Sequence, residues 1–164
     1  MCNTYFCIIH MSQTASHEEM HAFANSLRRV YNRLRHTTDQ IHADAGISAP
    51  KRTLLMDLRR YGPQTVPDLA SARFISRQII QTQVNELTEA GLMESRPNPA
   101  HKRSKLIALA RKGERLVESM IQNESKYMDT LGWLPESDEL EVCVAVLDTI
   151  NERLATHSSA QTRI

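Results

Sequence analysis

Glycine and proline punctuate this chain at Gly46, Gly62-Pro63, Gly91, Pro97-Asn98-Pro99 and Gly132, and they limit what it can fold into. Glycine closes helices, and proline cannot continue them. The pieces between are short, so each must be a separate packed element. In most of them apolar residues recur at steps of three and four, the period of an amphipathic helix.

The first helix starts at Ser16-x-x-Glu19, a capping box in which each side chain satisfies a free backbone N–H. Met20, Phe23, Leu27, Val30, Tyr31, Leu34 and Ile41 then follow helical spacing towards Gly46. A second helix, Ser48 to Tyr61, carries Leu54, Leu55 and Leu58 on its apolar face. Val66-Pro67 opens a short third helix, with Leu69 and Ala70 turned inward. After a turn at Arg73-Phe74, a fourth runs from Ser76 to Ala90, its inner face formed by Ile79 or Ile80, Val84 and Leu87.

Two strand-like stretches, Leu92–Arg96 and Ser104–Ala110, flank the proline loop and form a hairpin. A fifth helix covers about 112–131, and Gly132-Trp133-Leu134-Pro135 makes a corner anchored by Trp133. A sixth starts after Ser137 and reaches about His157. Its Leu140, Cys143, Leu147, Ile150 and Leu154 form a seam suited to another helix. The expected fold is mainly α with a small β-hairpin wing, a winged helix-turn-helix. Residues 48–110 form its lobe, 16–46 and 111–157 its dimerisation helices, and 1–15 a disordered or non-native extension.

The net charge of +1 hides an uneven distribution. Residues 51–112 hold twelve Lys/Arg against five Asp/Glu, whereas the rest holds eight against fourteen. A basic middle between acidic ends points to a face that meets a polyanion. No run of eighteen apolar residues exists to span a membrane. The first ten residues lack the parts of a secretory signal. Cys2, Cys7 and Cys143 are odd in number and lack metal-site spacing, which fits a reduced cytoplasm. Met11, followed by Ser-Gln-Thr-Ala-Ser, is read as the initiator, with residues 1–10 an upstream extension.

The fourth helix presents Ser76, Arg77, Gln78, Gln81, Thr82 and Asn85 on its outer, N-terminal side. Gln and Asn can bond adenine through two hydrogen bonds, Arg can bond guanine, and Thr can touch a thymine methyl. Ser76 at the N-cap leaves backbone N–H groups for a phosphate. The hairpin adds Lys102 and Arg103 at its tip, His101 beside them, and Arg96 and Lys105 on its stems. A basic tip on a ribbon can enter a minor groove, where negative potential is concentrated.

The stretch TVPDLASARFISRQIIQTQVNELTEAGLMESRPNPAHKRSKLIALARKG resembles the DNA-binding core of MarR-family regulators. The shared pattern is a leucine-alanine helix, a Ser-Arg recognition helix, an Ala-Gly-Leu turn, a basic wing and a Lys-Gly helix start. The resemblance extends over about residues 17–155. It implies a homodimer binding a pseudo-palindrome in double-stranded DNA, usually as a repressor, under a small-molecule effector whose identity is unknown. It places Ser76, Arg77, Gln78, Gln81, Thr82 and Asn85 in the major groove and Arg103 in the minor groove. The sequence departs from the pattern at four positions. His101 stands where an aspartate positions the wing arginine, Phe74 where glycine is common, Gln83 for leucine and Ala110 for a capping threonine.

Other features carry a blander meaning. His17-Glu18-Glu19-Met20-His21 matches a zinc-peptidase pattern, but it opens a helix and has no third ligand downstream. His17 and His21 are read as exposed, without metal, cofactor or catalysis. Cys143 is read as a seam packing residue rather than a redox sensor. Tyr31, Arg35 and His36 are effector-pocket candidates, or interface or surface residues. Two other functions stay open: a winged helix that binds protein rather than DNA, and a zinc hydrolase using His17 and His21.

Overall fold

The computed structural model describes residues 14–101 and 104–161, with side chains described through Thr156. Lys102, Arg103, Cys2, Cys7, Met11 and residues 1–13 of the expected extension lie outside the described residues. Among the described residues, six α-helices and three strands follow in order, with a short 3-10 turn at Ala43–Ala45 after the first: α1 His17–Ile41, α2 Ala49–Tyr61, β1 Gln64–Thr65, α3 Val66–Arg73, α4 Arg77–Glu89, β2 Met93–Arg96, β3 Leu106–Leu109, α5 Arg111–Thr130 and α6 Ser137–Gln161. They divide into two compact units, one through Glu124 and one from Ser125 onward.

In the first unit, the helix boundaries follow the expected caps. Ser16 and Glu19 form both halves of the capping box of α1. The backbone and hydroxyl of Ser16 donate to the Glu19 carboxylate, which holds its pKa below the ordinary glutamate value. The cap is therefore intact at neutral pH and is lost as pH falls through that lowered value. α2 has Ser48 as N-cap and Pro50 in its first turn, and it stops at Gly62. α3 has its own capping box, Thr65 with Asp68.

The core joins Leu54, Leu55 and Leu58 of α2 to Leu69 and Ala70 of α3, Ile80, Val84 and Leu87 of α4, and Val117 of α5. Leu92, Met93, Ile107 and Leu109 of the ribbon close it. Each large aliphatic side chain buried there contributes roughly 1.5–3 kcal/mol. Between the two candidates for the inner face of α4, Ile80 is fully buried and Ile79 is 51% exposed.

The hairpin strands β2 and β3 are antiparallel, with Met93 opposite Leu109 and Arg96 opposite Leu106. Both are shorter than the sequence implies. A third strand, β1, pairs with β3 through Gln64 opposite Ile107 and Thr65 opposite Leu106, giving the order β1-β3-β2. Two residues between prolines carry no periodic signal, which is why β1 escapes sequence reading.

A Schellman motif ends α4. Gly91 is left-handed at φ 70, its N–H donates to the carbonyl of Thr88, and the Leu92 N–H donates to that of Leu87. The start of α5 crosses this turn. Lys112 Nζ donates to the Ala90 carbonyl at 2.9 Å, and the Ala110 N–H donates to the Leu92 carbonyl at 3.0 Å. A Cβ on Gly113 would lie 2.1 Å from the Leu92 oxygen.

Among the described residues, three ion pairs tie helices of the first unit. Lys51 of α2 meets Glu86 of α4 at 2.8 Å, and Arg73 of α3 meets Asp57 of α2 at 2.7 Å. Arg52, buried, pairs with Asp39 of α1. The buried His42 ring is hydrogen-bonded to Glu124 of α5 at 2.8 Å.

The second unit holds the end of α5 and α6. α6 runs about a turn beyond the expected end at His157. Its seam residues Leu140, Cys143, Leu147 and Leu154 are exposed in the single chain, as are Val142, Val144 and Val146. Cys143 is therefore no core residue of the isolated chain. Trp133 is 71% exposed, so it does not anchor its corner as the sequence implied. Leu134 beside it is also exposed.

Two substitutions test this packing. Gly113→Ala forces a backbone carbonyl to move, and urea unfolding should show a loss of about 1–3 kcal/mol or more, the range for overpacking. Gln83, where the family pattern has leucine, leaves a buried side-chain oxygen without a hydrogen-bond partner. An unsatisfied buried group costs about 1–3 kcal/mol. Gln83→Leu should therefore raise the unfolding midpoint, and a lower midpoint would refute this account of the position.

Candidate nucleic-acid interface

The outward face of α4 is polar because its inward face is not. Ile80, Val84 and Leu87 fill the core, which turns Arg77, Gln78, Gln81, Thr82 and Asn85 to solvent. All five lie exposed on one helix, as the sequence implies. Ser76 is the N-cap. Its Oγ accepts from the Ile79 N–H at 3.4 Å, which leaves the first-turn N–H groups of Arg77 and Gln78 open.

Local bonds already order parts of this face. Gln81 Nε2 donates to Asn85 Oδ1 at 2.8 Å. Thr82 Oγ1 donates to the Gln78 carbonyl at 3.0 Å, so its hydroxyl proton is committed to the helix. Its methyl and lone pairs remain available.

A groove of about 550 Å³ separates α4 from the ribbon. Arg77, Gln78 and Gln81 line one wall, and Ser95, Ser104, Lys105 and Ile107 line the other, with Val66 and Pro67 at its end. Lys105 is thus brought across space to Arg77, Gln78 and Gln81. Ser95, Ser104, Val66 and Pro67 were missed by sequence reading. The strand alternation that puts Arg96 on one side of β2 puts Ser95 on the other, and this was the signal available.

Arg96 belongs elsewhere. It is paired with Glu94 at 2.8 Å and lines a separate cleft of about 480 Å³ with Arg59, Glu114 and Glu118. The structure does not bring Arg96 to the groove beside α4. His101 sits exposed in the loop, where its N–H donates to the Asn98 carbonyl and its carbonyl accepts from Ser104. Lys102 and Arg103 lie outside the described residues.

The turn into α4 is strained. Phe74, where glycine is common in the family pattern, is left-handed at φ 54 and 77% exposed. A side chain in that conformation costs roughly 1–2 kcal/mol. The flanking residues Arg73 and Ile75 line a third cleft, about 770 Å³, within the first unit. Tyr31, Leu34 and Arg35 of α1, Arg52 and Met56 of α2, and Met120 and Glu124 of α5 also line it. Of the effector candidates Tyr31, Arg35 and His36, the first two line this cleft and His36 does not.

His17, Glu18 and His21 are exposed at the start of α1. Among the described residues, no group of three or more His, Cys, Asp or Glu could hold a metal ion. Among the same residues, no helix is long and apolar enough to cross a membrane.

Uncharacterised proteins of Mycobacterium tuberculosis and Mycobacterium bovis are 36% identical to this chain over 58 residues, 35% of its length. The match covers 41% of each, so the chain spans about two fifths of the length of the curated relatives it matches. A MarR family transcriptional regulator from Silicibacter pomeroyi is 25% identical, with a TM-score of 0.72 over 84% of this chain and 93% of that one. BpsR of Bordetella bronchiseptica, whose DNA binding is regulated by 6-hydroxynicotinic acid, shares the fold. It is 23% identical, with a TM-score of 0.63 over 79% of this chain and 98% of that one. Residues 45–104, which span α2, β1, α3, α4 and β2 and stop before β3, match the MarR family. The match takes in the polar face of α4, and the likeness to the Silicibacter pomeroyi regulator gives this chain the winged helix-turn-helix fold of MarR-family proteins.

Proposed function

We propose that the protein is a sequence-specific DNA-binding regulator of transcription, acting as a homodimer without catalysis. The observation that carries this is the groove between α4 and the ribbon. It faces base-reading side chains, Arg77, Gln78 and Gln81, with a cation, Lys105, and two hydroxyls, Ser95 and Ser104. Arginine and amide side chains read base edges, and lysine and hydroxyls bind phosphate. Arg103 at the wing tip is assigned to the minor groove, with Lys102 and His101 on the adjacent backbone. Arg96, held by Glu94 on the other side of the ribbon, is given no base contact.

Dimerisation is assigned to α1, α5 and α6. The exposed apolar residues that recur at steps of three and four along α6, Leu140, Cys143, Leu147 and Leu154, are what a helix seam requires. A two-fold dimer presents two recognition helices and reads a pseudo-palindrome with half-sites about 10 bp apart. Repression in the cytoplasm is the default role of such a dimer in the family.

The large cleft is assigned to an effector. Leu34, Met56, Ile75 and Met120 give it apolar walls. Arg35 has no ion-pair partner among the described residues, and buried Arg52 Nε has no hydrogen-bond partner. This combination suits a small organic acid, the class to which the BpsR ligand belongs. Such a ligand acts only by binding one dimer geometry better than another.

Fluorescence anisotropy on DNA upstream of the gene, against a scrambled duplex, tests the DNA reading. Binding should prefer the native sequence and leave a footprint of two half-sites. Affinity should fall about 10³–10⁵-fold between 50 and 200 mM salt for roughly 6–10 phosphate contacts. Lys105→Ala should weaken all duplexes alike and lower the log–log salt slope by about 1. Gln78→Ala should relax sequence preference instead. Salt-insensitive binding without sequence preference would redirect the assignment to a protein-binding winged helix.

The cleft is tested with 6-hydroxynicotinic acid as a probe of its class. DNA affinity should shift on titration. Arg35→Ala should need about 10-fold more acid for the same shift, the value of a charge-assisted bond near 1.5 kcal/mol. Its affinity for DNA without acid should be unchanged. An unchanged response in the variant would remove Arg35 from the site.

A further inference from the structure

Gln81 and Asn85 are both exposed on α4, one helical turn apart, and the amide of one is bonded to the amide of the other at 2.8 Å. Only Gln81 lines the groove between α4 and the ribbon. Asn85 stands behind it, further along the helix.

We infer that Gln81 reads an adenine in each half-site and that Asn85 is a positioning residue that fixes which way the Gln81 amide points. The inference rests on the DNA-binding reading and adds a base to it. A terminal amide rotates freely, and turning it by half a revolution exchanges its donor and its acceptor. While the Asn85 carbonyl oxygen accepts one Gln81 N–H, the Gln81 nitrogen is kept on the Asn85 side. Gln81 keeps its second N–H and its whole Oε1, an adjacent donor and acceptor in fixed order.

In the major groove, adenine is the base whose edge carries an acceptor, N7, beside a donor, N6. Guanine offers two acceptors, cytosine a donor, and thymine an acceptor and a methyl. A pinned amide therefore selects adenine on one strand and separates A·T from T·A. A freely rotating one would lose part of that preference. Holding the side chain also removes rotamer freedom before DNA arrives, entropy that binding would otherwise lose.

The test is selection of duplexes from a randomised pool by the full-length protein, followed by anisotropy on the selected site with 7-deazaadenine at the candidate position. The analogue lacks the N7 acceptor and changes nothing on the Watson–Crick edge. The wild type should select one invariant adenine per half-site under α4 and lose about 5-fold or more in affinity to the analogue, the low end of a bidentate contact. Gln81→Ala should bring that ratio to about one. Asn85→Ala should lower the ratio although Gln81 is intact, and the double variant should equal Gln81→Ala. Circular dichroism of each variant checks that the helix is retained.

A wild-type ratio of one overturns the adenine assignment. An Asn85→Ala ratio equal to wild type overturns the positioning role, because a merely structural asparagine would weaken both duplexes alike. Enriched sites without an invariant adenine also overturn the inference and leave the DNA-binding reading standing. No enrichment at all brings down both.

Discussion

The crossing of Gly113 over the Leu92 carbonyl is the contact from which the lobe is built. Leu92 ends the Schellman turn of α4 and is followed directly by β2, while Ala110 and Gly113 bring β3 into α5. One backbone oxygen accepts the Ala110 N–H and leaves no room for a side chain at position 113. Helix α4, both strands of the ribbon and the start of α5 are thereby held to one another. Lys112 adds its ammonium to the carbonyl end of α4, where a cation is favoured by the helix dipole. A candidate reading surface formed by a helix and a ribbon needs the two at fixed separation, and this crossing supplies it.

The same lobe stores unfavourable terms close to the candidate interface. Phe74 is a bulky residue in a left-handed turn, and Gln83 has a buried acceptor without a partner. Both flank the polar face rather than the centre of the core. Their cost is carried by the aliphatic cluster around Leu54, Leu55, Ile80 and Leu87, which is packed with almost no exposure. This division, with strain beside the site and good packing beneath it, is a common arrangement where a surface must be held for binding.

The large cleft lies against the turn into α4. Arg73 and Ile75 line it on either side of Phe74, and Arg73 is ion-paired with Asp57 of α2. Glu124 lines it too and is bonded to buried His42, at the junction where α1 ends. The cleft is therefore lined by residues on both sides of the turn that sets the start of α4.

Helix order, caps and core faces were legible in the sequence because they are local. Ser16 with Glu19, Ser48, and Ser76 before the Ile80, Val84 and Leu87 stripe mark helix starts within a few residues of each other. The polar face of α4 followed from that stripe, since a helix with one side buried must expose the opposite side. What depends on the meeting of distant segments was hidden. Strand β1 is two residues with no period, and Trp133 was given an anchoring role that its exposure removes. Arg96 and Lys105 read alike as basic stem residues, yet the pleat of the ribbon and the pairing with Glu94 send them to different clefts. The sequence by itself determined which surfaces are apolar and which are charged, because spacing and caps act within one helix. Only the tertiary structure decided which charges face one groove and why position 113 admits no side chain. Those are properties of residues brought together from far along the chain.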